Sequence, residues 1–244
     1  MKKILIPFIF FLSFKTFGSI TILSDLDDTI KITQGRGRPT DFLGDDVYTG
    51  MPEFFKESRK YAGSLYILSA SPSLLQNKIK STLQKKKINY QGLILRKNVS
   101  EDKFSYKVRA IKKIMNSSTD DFIFLGDDLG KDPEVYTEIS RLYPGRVLGV
   151  YIHIVNGRPL KGELIPYWTS FDLFLREFES YRMSSLAVEK IIDTLMKDKN
   201  PHLIFPKKAQ CPTSSNVWEW QMRTIFMSEA QALIKKFIGF CQLR

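Results

Sequence analysis

The stretch Ile20–Ile30, ITILSDLDDTI, constrains this chain most: an apolar, β-branched run stops abruptly in acids. Ile20, Ile22 and Leu23 predict a short buried strand. Asp25 and Asp27 follow at or just past its end. Strand side chains alternate with period two, so these two carboxylates can share one side while Asp28 points away. Two acids on one side of a strand end repel, which raises one pKa unless a cation is held there. The pattern asks for a metal and an anionic, phosphate-like ligand, although an acidic turn would give the same letters.

The following segments repeat the arrangement. Pro52 opens a helix, PEFFKESRKYA; Leu65–Leu68 predicts a second strand that runs into Ser69-Ala70-Ser71-Pro72; and Pro72 opens a helix to about Lys87. A third strand spans Gly92–Leu95. A helix spans Phe104–Met115, with Val108, Ile111 and Ile114 on one face. A fourth strand, Phe122–Leu125, ends in Gly126-Asp127-Asp128; Pro133 opens another helix, and Val147–Ile152 is a fifth strand. Short buried strands alternating with helices predict an α/β fold, a doubly wound parallel sheet with helices on both faces. Ligands of such sheets bind outside the carboxyl ends of the strands, where the sequence puts Asp25, Asp27, Ser69, Asp127 and Asp128. The segment KITQGRGRPTDFLGDD after Thr29 predicts a loop or flap with no room for a large cap before Ser69, hence an open site. From about Asp172 the alternation gives way to helices, and residues 200–215 predict an irregular connection. The expected organisation is residues 1–18, 19–170 and a helical extension over 171–244.

Residues 1–18 carry a separate message. Lys2-Lys3, an apolar run from Ile4 to Phe14 and the small residues around Gly18-Ser19 have the layout of a secretory signal peptide. The run is short for a membrane span. Export, to a periplasm or the exterior, is therefore expected. In an oxidising compartment Cys211 and Cys241, the two cysteines of the 244 residues, can pair; otherwise they are buried thiols. The formal net charge of +11 favours anionic partners such as phosphorylated substrates or lipid surfaces. No nucleic-acid motif accompanies it.

Phosphomonoester hydrolysis needs an in-line nucleophile, neutralised equatorial oxygens and a proton for the leaving group. Asp25 is placed to attack, and Asp27 to protonate the leaving oxygen and then activate water. Asp127 and Asp132 of GDDLGKD complete a hard-cation site suited to Mg²⁺, with Asp128 in reserve. Ser69 and the amides before the Pro72 helix can take phosphoryl oxygens at a helix N-terminus. Lys107 can neutralise charge. Each has a plainer alternative: a cap, a surface lysine, a turn.

The order D-x-D-x-T, strand-Ser, Lys and GD-x-x-x-x-D resembles the haloacid dehalogenase (HAD) superfamily of phosphatases. DLDDTIK, YILSASP, KFSYKVRAIKKI and FIFLGDDLGKDPEVY together resemble the App1-type phosphatidate phosphatase catalytic domain, related to lipins, over roughly Ile20–Ile152. The resemblance implies Asp25 as nucleophile, Asp27 as acid/base, and Ser69 and Lys107 as phosphoryl binders. It also implies Mg²⁺ held by Asp25, Asp127 and Asp132 with the Asp27 backbone carbonyl, and a lipid phosphate as substrate. The chain departs from the family pattern at Asp128, where relatives often carry Ser, and at Ser73, where an aromatic is common. A broad-specificity exported phosphatase acting on soluble monoesters or nucleotides is the alternative enzyme. A non-catalytic lipid-binding domain of the same fold is the alternative class, against which the presence of both Asp25 and Asp27 argues.

Overall fold

The computed structural model describes residues 19–33, 44–206 and 225–242. The expected leader, Cys211, part of the expected flap and the start of the last expected helix lie outside the described residues, as does the side chain of Cys241.

Six parallel strands form one sheet in the order β3-β2-β1-β4-β5-β6. They are β1 Ile20–Ser24, β2 Ala62–Pro72, β3 Gly92–Arg96, β4 Asp121–Asp127, β5 Val147–His153 and β6 Ile165–Tyr167. Helices cover both faces, as the alternation predicts. Along β4, Phe122 and Phe124 enter one core and Ile123 and Leu125 the other. The first core is closed by α3 (Lys103–Asn116) and α4 (Asp132–Leu142), through Tyr106, Ile111, Val135, Tyr136 and Ile139. The second is closed by α1 (Met51–Ser58) and α2 (Gln76–Lys85) together with α5 (Ser170–Glu179), α6 (Ser185–Lys197) and α8 (Met227–Gln242); α7 is a single turn, Pro201–Ile204. Phe54 of α1 meets Phe174 of α5 edge-on at 5.7 Å, and Leu233 and Phe237 of α8 lie in the same core.

Three local expectations are corrected. No α-helix starts at Pro72. With φ −60° and ψ 142° this proline continues β2, whose last residues slip three positions against one of β3; a 3-10 turn, Ser73–Leu75, then leads into α2. Ser69 therefore sits inside a strand and not at a helix N-terminus. The strand β6 was not read from sequence because it is three residues long and contains Pro166, which a sheet tolerates at an edge. The connection after Asn200 includes α7, capped by the Asn200 side chain accepting from the His202 N–H at 3.0 Å.

Candidate active site

The carboxyl ends of β1, β2 and β4 lie side by side at the centre of the sheet. The β1–β4 ladder extends one residue, Asp25 N–H donating to Leu125 O at 2.8 Å, so Asp25 leaves the sheet beside Asp127. Asp132 opens α4, where a carboxylate suits the positive end of the helix. The helix can come that close because position 126 is glycine. A Cβ there would lie 2.6 Å from the Asp132 Cβ and 2.7 Å from the Tyr136 ring.

Asp25, Asp127 and Asp132 each offer an oxygen within 4.8 Å of the others. All three are buried, at 5%, 4% and 0% exposure. Lys107, on α3 and also buried, reaches between them. Its Nζ is 3.0 Å from Asp25 Oδ1 and pairs more closely with Asp132 Oδ1. Asp25 Oδ1 receives no aligned hydrogen bond beyond that ion pair. Burial pushes the Asp25 carboxyl well up; Lys107 opposes this, and Asp132 and Asp127 add to it. Burial, then Asp132, lifts Asp127 to about 7. Burial alone would lower Lys107, but Asp132 and Asp25 together outweigh it and hold the ammonium above its ordinary range.

At an effective dielectric of about 20, two unit charges at such a spacing repel by roughly 3–4 kcal/mol. Three carboxylates against one ammonium therefore leave a charge deficit that a divalent cation fits. The donor set is all oxygen, as hard cations prefer. The buried aspartate triad can hold a metal ion.

Asp27 does not join this group through its side chain. Its Oδ2 accepts from Ser71 Oγ at 2.7 Å and Ser69 Oγ at 3.0 Å, and the Ser69 oxygen in turn accepts from the Ser71 N–H at 3.0 Å. Asp28, at φ 56°, turns away, and its carboxylate takes the N–H and hydroxyl of Thr33 at 3.0 and 2.5 Å. His153, at the end of β5, holds the Asp28 carbonyl at 2.6 Å through Nδ1 while its ring stacks on Tyr167. Asp128, expected as a reserve ligand, instead accepts three backbone N–H bonds, from Val155 and Asn156 at 2.8 Å and Arg158 at 2.9 Å. It fixes the loop after β5, so Asp132 and not Asp128 stands with Asp25 and Asp127. Sequence reasoning missed Ser71 and His153. A serine two residues beyond Ser69 on the same strand side was the available signal for the first; a lone histidine gave none for the second.

Residues 20–154 match the family "Phosphatidate phosphatase APP1, catalytic domain". The chain belongs to that family. It is accordingly a phosphatase enzyme on a doubly wound parallel sheet, and the matched span ends at Ile154, just after β5. No curated protein matches. One solved structure, "Structure of the Pnkp1/Rnl/Hen1 RNA repair complex", is similar at 16% identity and a TM-score of 0.41, with 55% of this chain and 42% of that chain covered. The chain thus spans less than half of that relative's length.

Proposed function

We propose that this APP1-family phosphatase hydrolyses phosphomonoesters through an aspartyl-phosphate on Asp25, with Mg²⁺ as cofactor and phosphatidate or a similar lipid monophosphate as the first substrate to test. One observation carries the reading. Asp25, Asp127 and Asp132 share a buried site with a single lysine, at the sheet edge where ligands of such folds bind.

Asp25, Asp127 and Asp132, with the Asp27 carbonyl as the resemblance implies, would hold the cation. When bound it supplies charge neutralisation for the phosphoryl oxygens and the nucleophile. The protein's own groups do the rest. Asp25 Oδ attacks phosphorus as the ester P–O bond breaks, and Lys107 favours the ionised form of the attacking carboxyl, opposing the effect of burial. Asp27 gives its proton to the departing oxygen, and the Ser69 hydroxyl donates to a phosphoryl oxygen. Water then attacks phosphorus with Asp27 taking its proton, which releases phosphate and restores Asp25. The family description supports the lipid substrate, and the net charge of +11 is favourable for an anionic surface. No helix among the described residues is long and apolar enough to cross a membrane. We also propose export, on the layout of residues 1–18.

The test is phosphate release from phosphatidate micelles and from soluble monoesters, each with Mg²⁺ and with chelator. Release from the lipid that requires Mg²⁺ is expected. Faster release from nucleotides or sugar phosphates would favour the broad-specificity alternative. No release from any monoester would overturn the catalytic reading.

A further inference from the structure

We propose that Ser71 is a positioning residue that holds the acid/base Asp27 in place once substrate has claimed Ser69. The inference rests on the hydrolytic reading above and extends it to a residue that reading leaves without a role.

A serine hydroxyl has one proton to donate. In the structure both Ser69 and Ser71 spend theirs on the same atom, Asp27 Oδ2, at 3.0 and 2.7 Å. Asp27 Oδ1 is buried and accepts no hydrogen bond among the described residues, so each of their side-chain donors to this carboxyl acts through one oxygen. Ser69 cannot keep that bond while donating to a phosphoryl oxygen. Its own oxygen remains anchored by the Ser71 N–H at 3.0 Å, so the hydroxyl can redirect its proton without the side chain leaving its place. Asp27 then retains a single side-chain donor, the shorter of the two.

The backbone is shaped for this division. Ser69 and Ser71 stand two apart on β2 and project to the same side. Between Ser69 and Pro72 the strand slips against β3, three residues spanning one step of the neighbour. Such irregularities re-aim side chains beside functional sites. Here it brings a second hydroxyl to Asp27. Ser71 is 7% exposed and Ser69 fully buried, so bulk water does not substitute readily for either donor.

A freely rotating Asp27 would lose its alignment with the leaving oxygen but leave the phosphoryl contacts untouched. Ser71→Ala should therefore lower kcat for an alkyl phosphate, whose leaving oxygen needs the proton, by about 10–100-fold, a part of the ~10²–10⁴ that general acid catalysis contributes in full. It should lower kcat for an activated aryl phosphate much less, and should leave inhibition by inorganic phosphate within about twofold of wild type. Ser69→Ala should instead weaken phosphate inhibition and slow the alkyl and aryl phosphates alike. Ser71→Thr, which keeps the hydroxyl, should restore the alkyl-phosphate rate. Unchanged phosphate inhibition in Ser71→Ala also shows that the site is folded.

An equal loss on alkyl and aryl substrates, or no loss in a folded Ser71→Ala, overturns the assignment while wild-type turnover leaves the hydrolytic reading standing. A Ser71→Thr variant that inhibits normally with phosphate but is as slow as Ser71→Ala also overturns it. Wild-type protein that releases no phosphate from either ester removes both.

Discussion

Two of the buried polar clusters in this fold are charged in opposite spirits. At the strand ends, Asp25, Asp127 and Asp132 share one lysine. Beneath α5, Glu177 is fully matched: Arg182 forks onto both its oxygens at 2.6 and 2.8 Å, and the Tyr151 hydroxyl donates at 2.5 Å. Both clusters lose solvation on folding. The second recovers it within the protein, tying α5 and the following turn to β5. The first does not, and what it lacks is positive charge. Burial alone thus does not distinguish the two clusters; the unbalanced charge does.

The sharpest way to break the comparison is to remove one charge from each cluster. Asp25→Asn should lower turnover by a factor on the order of 10⁴ or more, because an amide cannot attack phosphorus. In metal-free buffer the same variant should melt no lower than wild type, since it relieves repulsion. Retained turnover would exclude a carboxylate nucleophile at this position. Glu177→Gln should behave oppositely. It leaves Arg182 half-buried and unbalanced, which should cost about 3 kcal/mol in urea unfolding, while kcat stays within a few-fold of wild type. A destabilised Asp25→Asn beside a silent Glu177→Gln would reverse the assignment of the two clusters.

Divalent cation should stabilise through the first cluster alone. At one hundred times its dissociation constant Mg²⁺ should add about 2.7 kcal/mol, read as a rise in Tm. The rise should survive Glu177→Gln and vanish in Asp127→Ala.

The smallest effect comes from a buried acid outside both clusters. Asp172 caps α5, taking the N–H groups of Trp168 and Thr169 at 2.8 Å, yet burial lifts it to about 6. A carboxyl whose folded pKa exceeds its unfolded value binds its proton more tightly in the fold. Its contribution to stability is greatest below pH ~4 and declines as pH rises to about 6, by on the order of 2 kcal/mol. Asp172→Asn keeps an acceptor for the cap and should flatten stability over that window. An undiminished slope would mean that another group is responsible.

Much of the first cluster was legible because strand periodicity and strand-end acids are local signals. Ile22 and Leu23 entering opposite cores, and Asp25 leaving the sheet beside Asp127, follow from an alternation visible in the letters. The second cluster was not legible, because Glu177 and Arg182 look like the solvated charges of any helix end until β5 is placed beneath them. Ser71 was obscured by a proline that reads as a helix start but lies in a strand. Asp128 stayed in reserve beside Asp132 because an acid facing a metal site and an acid organising a loop are the same letter. Only the N–H groups of Val155, Asn156 and Arg158 around it tell them apart.

The packing of α5 on α1, of α6 on α5 and of α8 on α6 has a consequence for how the chain is made. Synthesis runs from the N-terminus, and domains tend to fold as their segments emerge. Every aspartate and lysine of the strand-end cluster is translated by residue 132, whereas the core to which α1 contributes awaits Leu233 and Phe237 on α8. Between the synthesis of Asp132 and that of α8, the nascent chain holds the residues of that cluster on a sheet whose second face is covered by α1 and α2 and not yet by α8. Order of synthesis and order of closure run out of step, and the C-terminal helices are the segment on which that exposed interval ends.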